Sequence, residues 1–201
     1  MSHTNKDLDD FFDAEEPSAI VKMPDVMIDV ETMGVLPTAP IIGIGAVAFN
    51  LATCELGERF YANVDLASTV AQGAIIEAGT VMWWMTQPDE ARRKLTTGAR
   101  LDVDTFLQQF SQWLDKSCVS VKERRVWACG TDFDNTKLSE HYRRAGLETP
   151  WMFWNNRDQR TVRELFKGKT EGVRREGTHH NALDDAIHQV QQLFAIRGGA
   201  R

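Results

Sequence analysis

Acidic side chains gather at three places whose surroundings would ordinarily exclude them. Val26 to Thr32 reads VMIDVET, so Asp29 and Glu31 stand two apart in an apolar run. Residues two apart on a strand share a face, which puts Met27, Asp29 and Glu31 on one side and Val26, Ile28 and Val30 on the other. Two carboxylates buried together are driven toward protonation, so a basic side chain or a cation must sit between them. Gly130 to Asp134 reads GTDFD and delivers Asp132 and Asp134 at a strand-to-helix junction, where α/β sheets form ligand sites. The third group, His179, His180, Asp184 and Asp185, opens the last helix. Leu183, Ile187, Val190 and Phe194 give that helix an expected buried stripe. Asp185 then lies off the core, and helical phase does not choose between it and Asp184. Hard oxygen donors in this number suit Mg²⁺ or Mn²⁺ and not zinc.

The elements that must position these groups follow from period and turn chemistry. VMIDVET, IIGIGAVAFN (Ile41 to Asn50) and ERFYANVD (Glu58 to Asp65) read as a three-strand antiparallel meander, with Ala52 to Gly57 as the second connector. Downstream the period lengthens to about 3.6. Pro88 at a first helical position leads into EARRKL, and Val103, Phe106, Leu107, Phe110 and Leu114 mark an amphipathic helix. Arg124 to Gly130 reads as a short buried strand, Phe133 to Gly146 as a helix closed by its glycine, and Trp151 to Trp154 as another strand. Arg157 to Phe166 and Asn181 to Ile196 read as the last helices. This order implies a mixed sheet with helices on its faces. Met1 to about Pro24 reads as an acidic mobile tail with a short helix through Leu8, Phe11 and Phe12; the domain is expected over 25–197, with a short tail over 198–201.

Composition narrows the function. The 201 residues suit one domain, and 42% apolar against 26% charged is ordinary for a folded soluble chain. The apolar run Ala39 to Phe49 is about half of a membrane span, and the acidic start is no signal peptide, so a cytoplasmic protein is expected. Cys54, Cys118 and Cys129 form no CxxC pair and suggest neither disulfides nor a thiolate zinc site. A net charge of −6 argues against coating long duplexes, so nucleic acid would have to be gripped locally.

Each group also has an ordinary structural reading. Asp29 and Glu31 could pair with a lysine on a surface strand, Asp134 could cap the helix it opens, and His180 and Asp185 could cap the last one. His179 reads as a loop residue. Trp83 and Trp84 offer a stacking face for a terminal base or a half-core pair. Arg157, Arg160 and Arg163 could reach phosphates or line a solvated face, with Arg160 the favoured contact; Arg174 and Arg175 read as a solvated loop that could guide a strand.

The combination IDVET, then GTDFD about a hundred residues later, then His180-Asn-Ala-Leu-Asp-Asp185-Ala resembles the three motifs of the DnaQ-like 3′ to 5′ exonucleases, histidine branch. TVMWWMTQPDEAR and WNNRDQRTVREL are similar to the exonuclease VIII and phage exonuclease A group, and the resemblance runs from Asp25 to Ile196. It places the family's acids on Asp29, Glu31, Asp134 and Asp185 and its histidine on His180, leaving His179, Asp132 and Asp184 outside the pattern. It implies a ribonuclease H-like, five-stranded mixed sheet with helices on both faces. It further implies two divalent cations, Mg²⁺ or Mn²⁺, held by the four acids, His180 as general base, and hydrolysis of single-stranded RNA or DNA from its 3′ end. No membrane partner is implied, and pairing into a homodimer is the assembly relatives suggest. Thr32 and Met33, beside Glu31, join Trp83 and Arg160 as expected substrate contacts. Two rivals fit less well. A haloacid dehalogenase-type phosphohydrolase would use Asp29 as nucleophile but has Glu31 where its motif has Asp and no task for His180. A non-catalytic nucleic-acid binder has no reason to keep uncompensated carboxylates beside phosphates.

Overall fold

A computed structural model describes residues 20–198. The expected tail helix through Leu8, Phe11 and Phe12 lies outside the described residues. The chain opens with β1 (Asp25–Thr32), β2 (Ile41–Asn50) and β3 (Glu55–Val64), paired antiparallel in sequence order. β3 starts three residues before the expected Glu58. The Asn50 carboxamide accepts the Ala52 and Thr53 N–H groups at 2.9 and 3.3 Å, and Cys54 turns at φ 58°, so the reversal is completed in fewer residues.

Then follow α1 (Leu66–Ala71), α2 (Ala78–Thr86), α3 (Asp89–Thr96), β4 (Arg100–Leu101), α4 (Val103–Ser117), β5 (Arg125–Ala128), α5 (Asp134–Arg144), β6 (Asn156–Asp158), α6 (Gln159–Leu165) and α7 (Ala182–Arg197). The sheet runs β4-β3-β2-β1-β5-β6, with β5 parallel to β1 and β6 parallel to β5. It therefore has six strands, not the expected five; the added β4 is a two-residue parallel edge beside β3. Trp151 to Trp154 is not a strand. Trp151 is buried against Tyr142, whereas Phe153 and Trp154 point to solvent in a 3-10 turn, and the backbone pairs with β5 only from Asn156 onward. Pro88 caps α3 and does not occupy its first turn.

Strand alternation in β1 divides the molecule as its sequence requires. Val26, Ile28 and Val30 meet Phe106, Leu107, Phe110 and Leu114 of α4 on one face. Met27 meets Ala186, Val190, Leu193 and Phe194 of α7 on the other. Half of the expected α7 stripe holds, since Val190 and Phe194 are buried, but Leu183 and Ile187 sit at the rim while Ala182, Asp185, Ala186 and Gln189 are buried in their place. Gly45 is the physical reason. A Cβ there would lie 2.1 Å from the Leu183 nitrogen, so the helix backbone rests directly on the sheet and its small residues face inward. Asp185 is carried to the buried side.

Candidate active site

β1 and β5, neighbours and parallel, both end on the side of the sheet where α5 and α7 begin. Asp29 and Glu31 face α7, and their partners across β2 are Gly45 and Gly43. The two glycines opposite the acids let neighbours close in, the α7 backbone over Gly45 and the Leu95 side chain over Gly43, so the acids lie in a narrow trough between them. Beyond it on β3, Tyr61 and Asn63 pair with the same glycines and complete the row; the Tyr61 hydroxyl donates to Asn63 Oδ1 at 2.9 Å.

Asp134, the first residue of α5, does not cap its helix: its Oδ1 turns to β1 and accepts the Val30 N–H at 3.0 Å, between the two β1 acids. Asn181 caps α7 by accepting the Asp184 N–H at 3.1 Å. Asp185 Oδ2 accepts the His180 N–H at 3.1 Å, a cap-like bond that also aims the carboxylate into the trough. Donor atoms of Glu31, His180 and Asp185 all lie within 4.8 Å of one another. Asp132 is exposed, and Asp184 is committed to the Thr178 N–H at 2.8 Å, so neither joins them.

The electrostatics follow from crowding acids away from water. Burial first, then the charges of Asp134 and Glu31, raises Asp29 well above the ordinary carboxylate range, with the Gln189 amide at 2.8 Å opposing. Burial and then Asp134 push Glu31 up to about 8. Burial carries Asp134 to about 7 against the pull of the Val30 N–H and the Lys137 ammonium. The opposite sign holds for His180, which burial, His179 and Arg175 push below its ordinary value. His180 has φ 63°, a backbone state rare outside glycine, and its ring stands edge-on to Trp83 and Trp84 at 5.1 and 6.1 Å.

A cavity of about 390 Å³ opens beside the acids, between Glu31 to Val35 and α2. Trp83 lines it and is 43% exposed; Trp84 lines it from a buried position, donating to the Thr32 carbonyl at 2.9 Å. Thr32 lines it too, although its hydroxyl is spent on the Gly34 carbonyl at 2.8 Å. Met33, past the end of β1, does not line the cavity and packs beside Ile42, Trp84, Ala91 and Leu95. Arg160 lies at Gly130, donating to the Cys129 carbonyl at 2.7 Å, close enough for its charge to act on Asp134. Sequence reasoning missed Gln189, Lys137 and Phe133. Gln189 had a signal, one helical turn beyond Asp185; Lys137, with its ammonium 3.1 Å from the Phe133 ring centre and bonded to the Val35 carbonyl at 2.8 Å, had none beyond its place one turn after Asp134.

A ribonuclease H-like sheet carrying four acids from three separate elements and a histidine at one end defines the DnaQ-like class of 3′ to 5′ exonucleases. The family model of the 3′–5′ exoribonuclease Rv2179c-like domain matches residues 24–196, and the chain belongs to that family. It is 28% identical to the exodeoxyribonuclease of Enterobacteria phage T4, over 87% of this chain and 90% of the phage protein. Solved structures share the fold. Exonuclease I of E. coli, in complex with a 5cy-dT13 oligonucleotide, matches at TM-score 0.60 and 14% identity over 87% of this chain; the match spans only 40% of the larger protein. The Mg²⁺- and Mn²⁺-bound form of S. pombe Pop2p matches at 0.57 and 13% identity over 88% of this chain and 83% of that one.

Proposed function

We propose that this exonuclease removes nucleotides from the 3′ end of single-stranded nucleic acid with two divalent cations, Mg²⁺ or Mn²⁺, and His180 as general base. One observation carries the reading: four carboxylates from β1, α5 and α7 converge with an imidazole beside a tryptophan-walled cavity. The donor set fits such ions, being rich in oxygen and, on Asp29 and Glu31, free of any ion pair among the described residues. Asp29, Glu31, Asp134 and Asp185 would hold them. When bound, the ions supply neutralisation of the four acids and stabilisation of the attacking and departing oxygens of an in-line displacement.

The remaining work falls to the chain. His180 takes the proton of the attacking water, and its lowered pKa keeps the imidazole unprotonated and ready at neutral pH. The two tryptophans and the Asp185 bond to its own N–H fix the ring. The exposed face of Trp83 stacks the terminal base while Thr32 and Val35 wall the sugar, a cleft that suits one strand's end better than a duplex. Arg160, beside Asp134, reaches the next phosphate. The catalytic unit spans 25–197, and three free thiols suit a reducing, cytoplasmic location.

The family is named for RNA and the phage relative for DNA, so both sugars belong in the test. A 5′-labelled strand of each, incubated with Mg²⁺ or Mn²⁺, should give a descending ladder that chelator abolishes. Cutting of a circular strand would remove the 3′-end reading.

A further inference from the structure

Among the described residues, Arg175 makes the one ion pair that reaches any of the four candidate carboxylates, its Nη1 meeting Asp185 Oδ1. Because Asp185 Oδ2 is held by the His180 N–H, both oxygens of that acid are taken by protein donors. Arg175 belongs to the connection between α6 and α7, outside any helix or strand, where Gly168, Gly172 and Gly177 take φ of 97°, 93° and 81°. Its side chain is 34% exposed, at the rim of the trough, and its charge is felt by His179, His180 and His188.

A divalent cation shared by Glu31 and Asp185 competes with Arg175 for the Asp185 carboxylate, and two cations cannot crowd onto it without strong repulsion. The guanidinium is planar and always charged, and its donor fork fits a phosphate as well as a carboxylate. We propose that Arg175 is a resident counter-ion that yields Asp185 when the site is loaded and then binds the phosphodiester of the incoming strand. It is thereby a substrate-binding residue for the exonuclease reaction. The inference rests on the divalent-cation reading above.

Mn²⁺ binding to the full chain without nucleic acid separates the two. Arg175→Gln should tighten Mn²⁺ by about three- to tenfold, the range of a half-exposed ion pair removed from competition. Mn²⁺ should also speed tryptic cleavage after Arg174 and Arg175 of the parent several-fold, a readout that needs no variant. With a single-stranded substrate at saturating Mn²⁺, Arg175→Gln should raise KM by about tenfold with kcat within a few-fold, and Arg175→Lys should recover part of that loss. Unchanged or weaker Mn²⁺ binding by Arg175→Gln, with normal binding by the parent, overturns the exchange and leaves the cation reading intact. Absence of Mn²⁺ binding by the parent overturns both. A cleavage rate indifferent to Mn²⁺, or a KM that does not move, also overturns the role assigned to Arg175.

Discussion

The two ends of β1 treat buried carboxylates in opposite ways. Asp25, at the start, is fully buried and fully partnered: Arg125 donates to both oxygens at 2.6 and 2.7 Å and the Trp127 indole adds a bond of 2.8 Å. Asp29 and Glu31, on the same face four and six residues later, have one amide bond between them among the described residues. Burial of an acid is thus compatible with this sheet when the chain supplies the counter-charge. Where it does not, at Asp29 and Glu31, the acids stand without an ion pair among the described residues. On the function proposed above, that difference separates a structural acid from a working one.

The largest effect should come from exchanging the two ends. Asp29→Ala should lower turnover by at least about 10³-fold, the several kcal/mol that one metal ligand is worth to an in-line displacement. The metal-free fold should be unharmed or steadier, since one of three repelling acids is gone. Asp25→Ala should do the reverse. It strands Arg125 and the Trp127 N–H and should cost about 2–4 kcal/mol, or about 5–15 °C in Tm, with activity per folded molecule preserved. Thermal melts and single-turnover assays on both variants decide it, and a destabilised Asp29→Ala would erase the contrast.

His180 and His179 carry the same contrast one residue apart. His180→Ala should lose about 10²- to 10⁴-fold in turnover while Mn²⁺ still binds, and His179→Ala, exposed on the loop, should stay within a few-fold. The pH–rate profile of the parent should rise through a group below about 6.5, because His180 is depressed from that ordinary value, and the rise should vanish in His180→Ala. Equal damage in both variants would move the base off His180. Gly45→Ala probes the support beneath: a Cβ 2.1 Å from the Leu183 nitrogen must lift the start of α7, with a cost of about 1–3 kcal/mol. Asp185 should retreat with it, so Mn²⁺ affinity should fall although no ligand was changed.

Much of this was legible in the sequence, and the gaps have physical causes. Alternation in VMIDVET announced two faces of β1 and a shared acid face, and the three motifs converge. The choice between Asp184 and Asp185 was not legible, because hydrophobic phase pointed to Leu183 and Ile187, while the packing is set by Gly45 and two alanines. The glycines at 43 and 45, spaced like the acids they oppose, were a readable signal for that close approach. β6 escaped because its polar residues pair through backbone alone while aromatic Phe153 and Trp154 beside it face solvent. α2 escaped because AGTVMWWMT has too little polar phase to show a helical period. Arg175 could not be matched to Asp185 from sequence, since a glycine-flanked loop gives no register.

The smallest expected effect concerns the metal-free protein and the repulsion that Glu31 adds to it. In the fold Glu31 sits at about 8, against about 4.3 in an unfolded chain. Between those pH values the folded state holds the extra proton, so Glu31 contributes stability at low pH that is lost as pH rises through the folded value. Other groups titrate nearby: burial lowers His141, which makes stability rise with pH below about 6.5, and lowers Lys137 to about 8, which acts the same way at alkaline pH. Both remain in Glu31→Gln and cancel in the difference between variant and parent, which then reads the Glu31 carboxylate together with its repulsion of Asp29 and Asp134. Below about pH 4, where Glu31 is protonated in both folded and unfolded chains, the two metal-free proteins should melt together. By pH 8 Glu31→Gln should be the steadier by at least about 1–2 kcal/mol, or about 3–8 °C, because it alone has no carboxylate to ionise beside Asp134. Saturating Mn²⁺ should reverse the order at pH 8, since the parent alone keeps the carboxylate that binds it. A difference that does not change with pH would mean that Glu31 is already matched by a counter-charge, and the two ends of β1 would be alike after all.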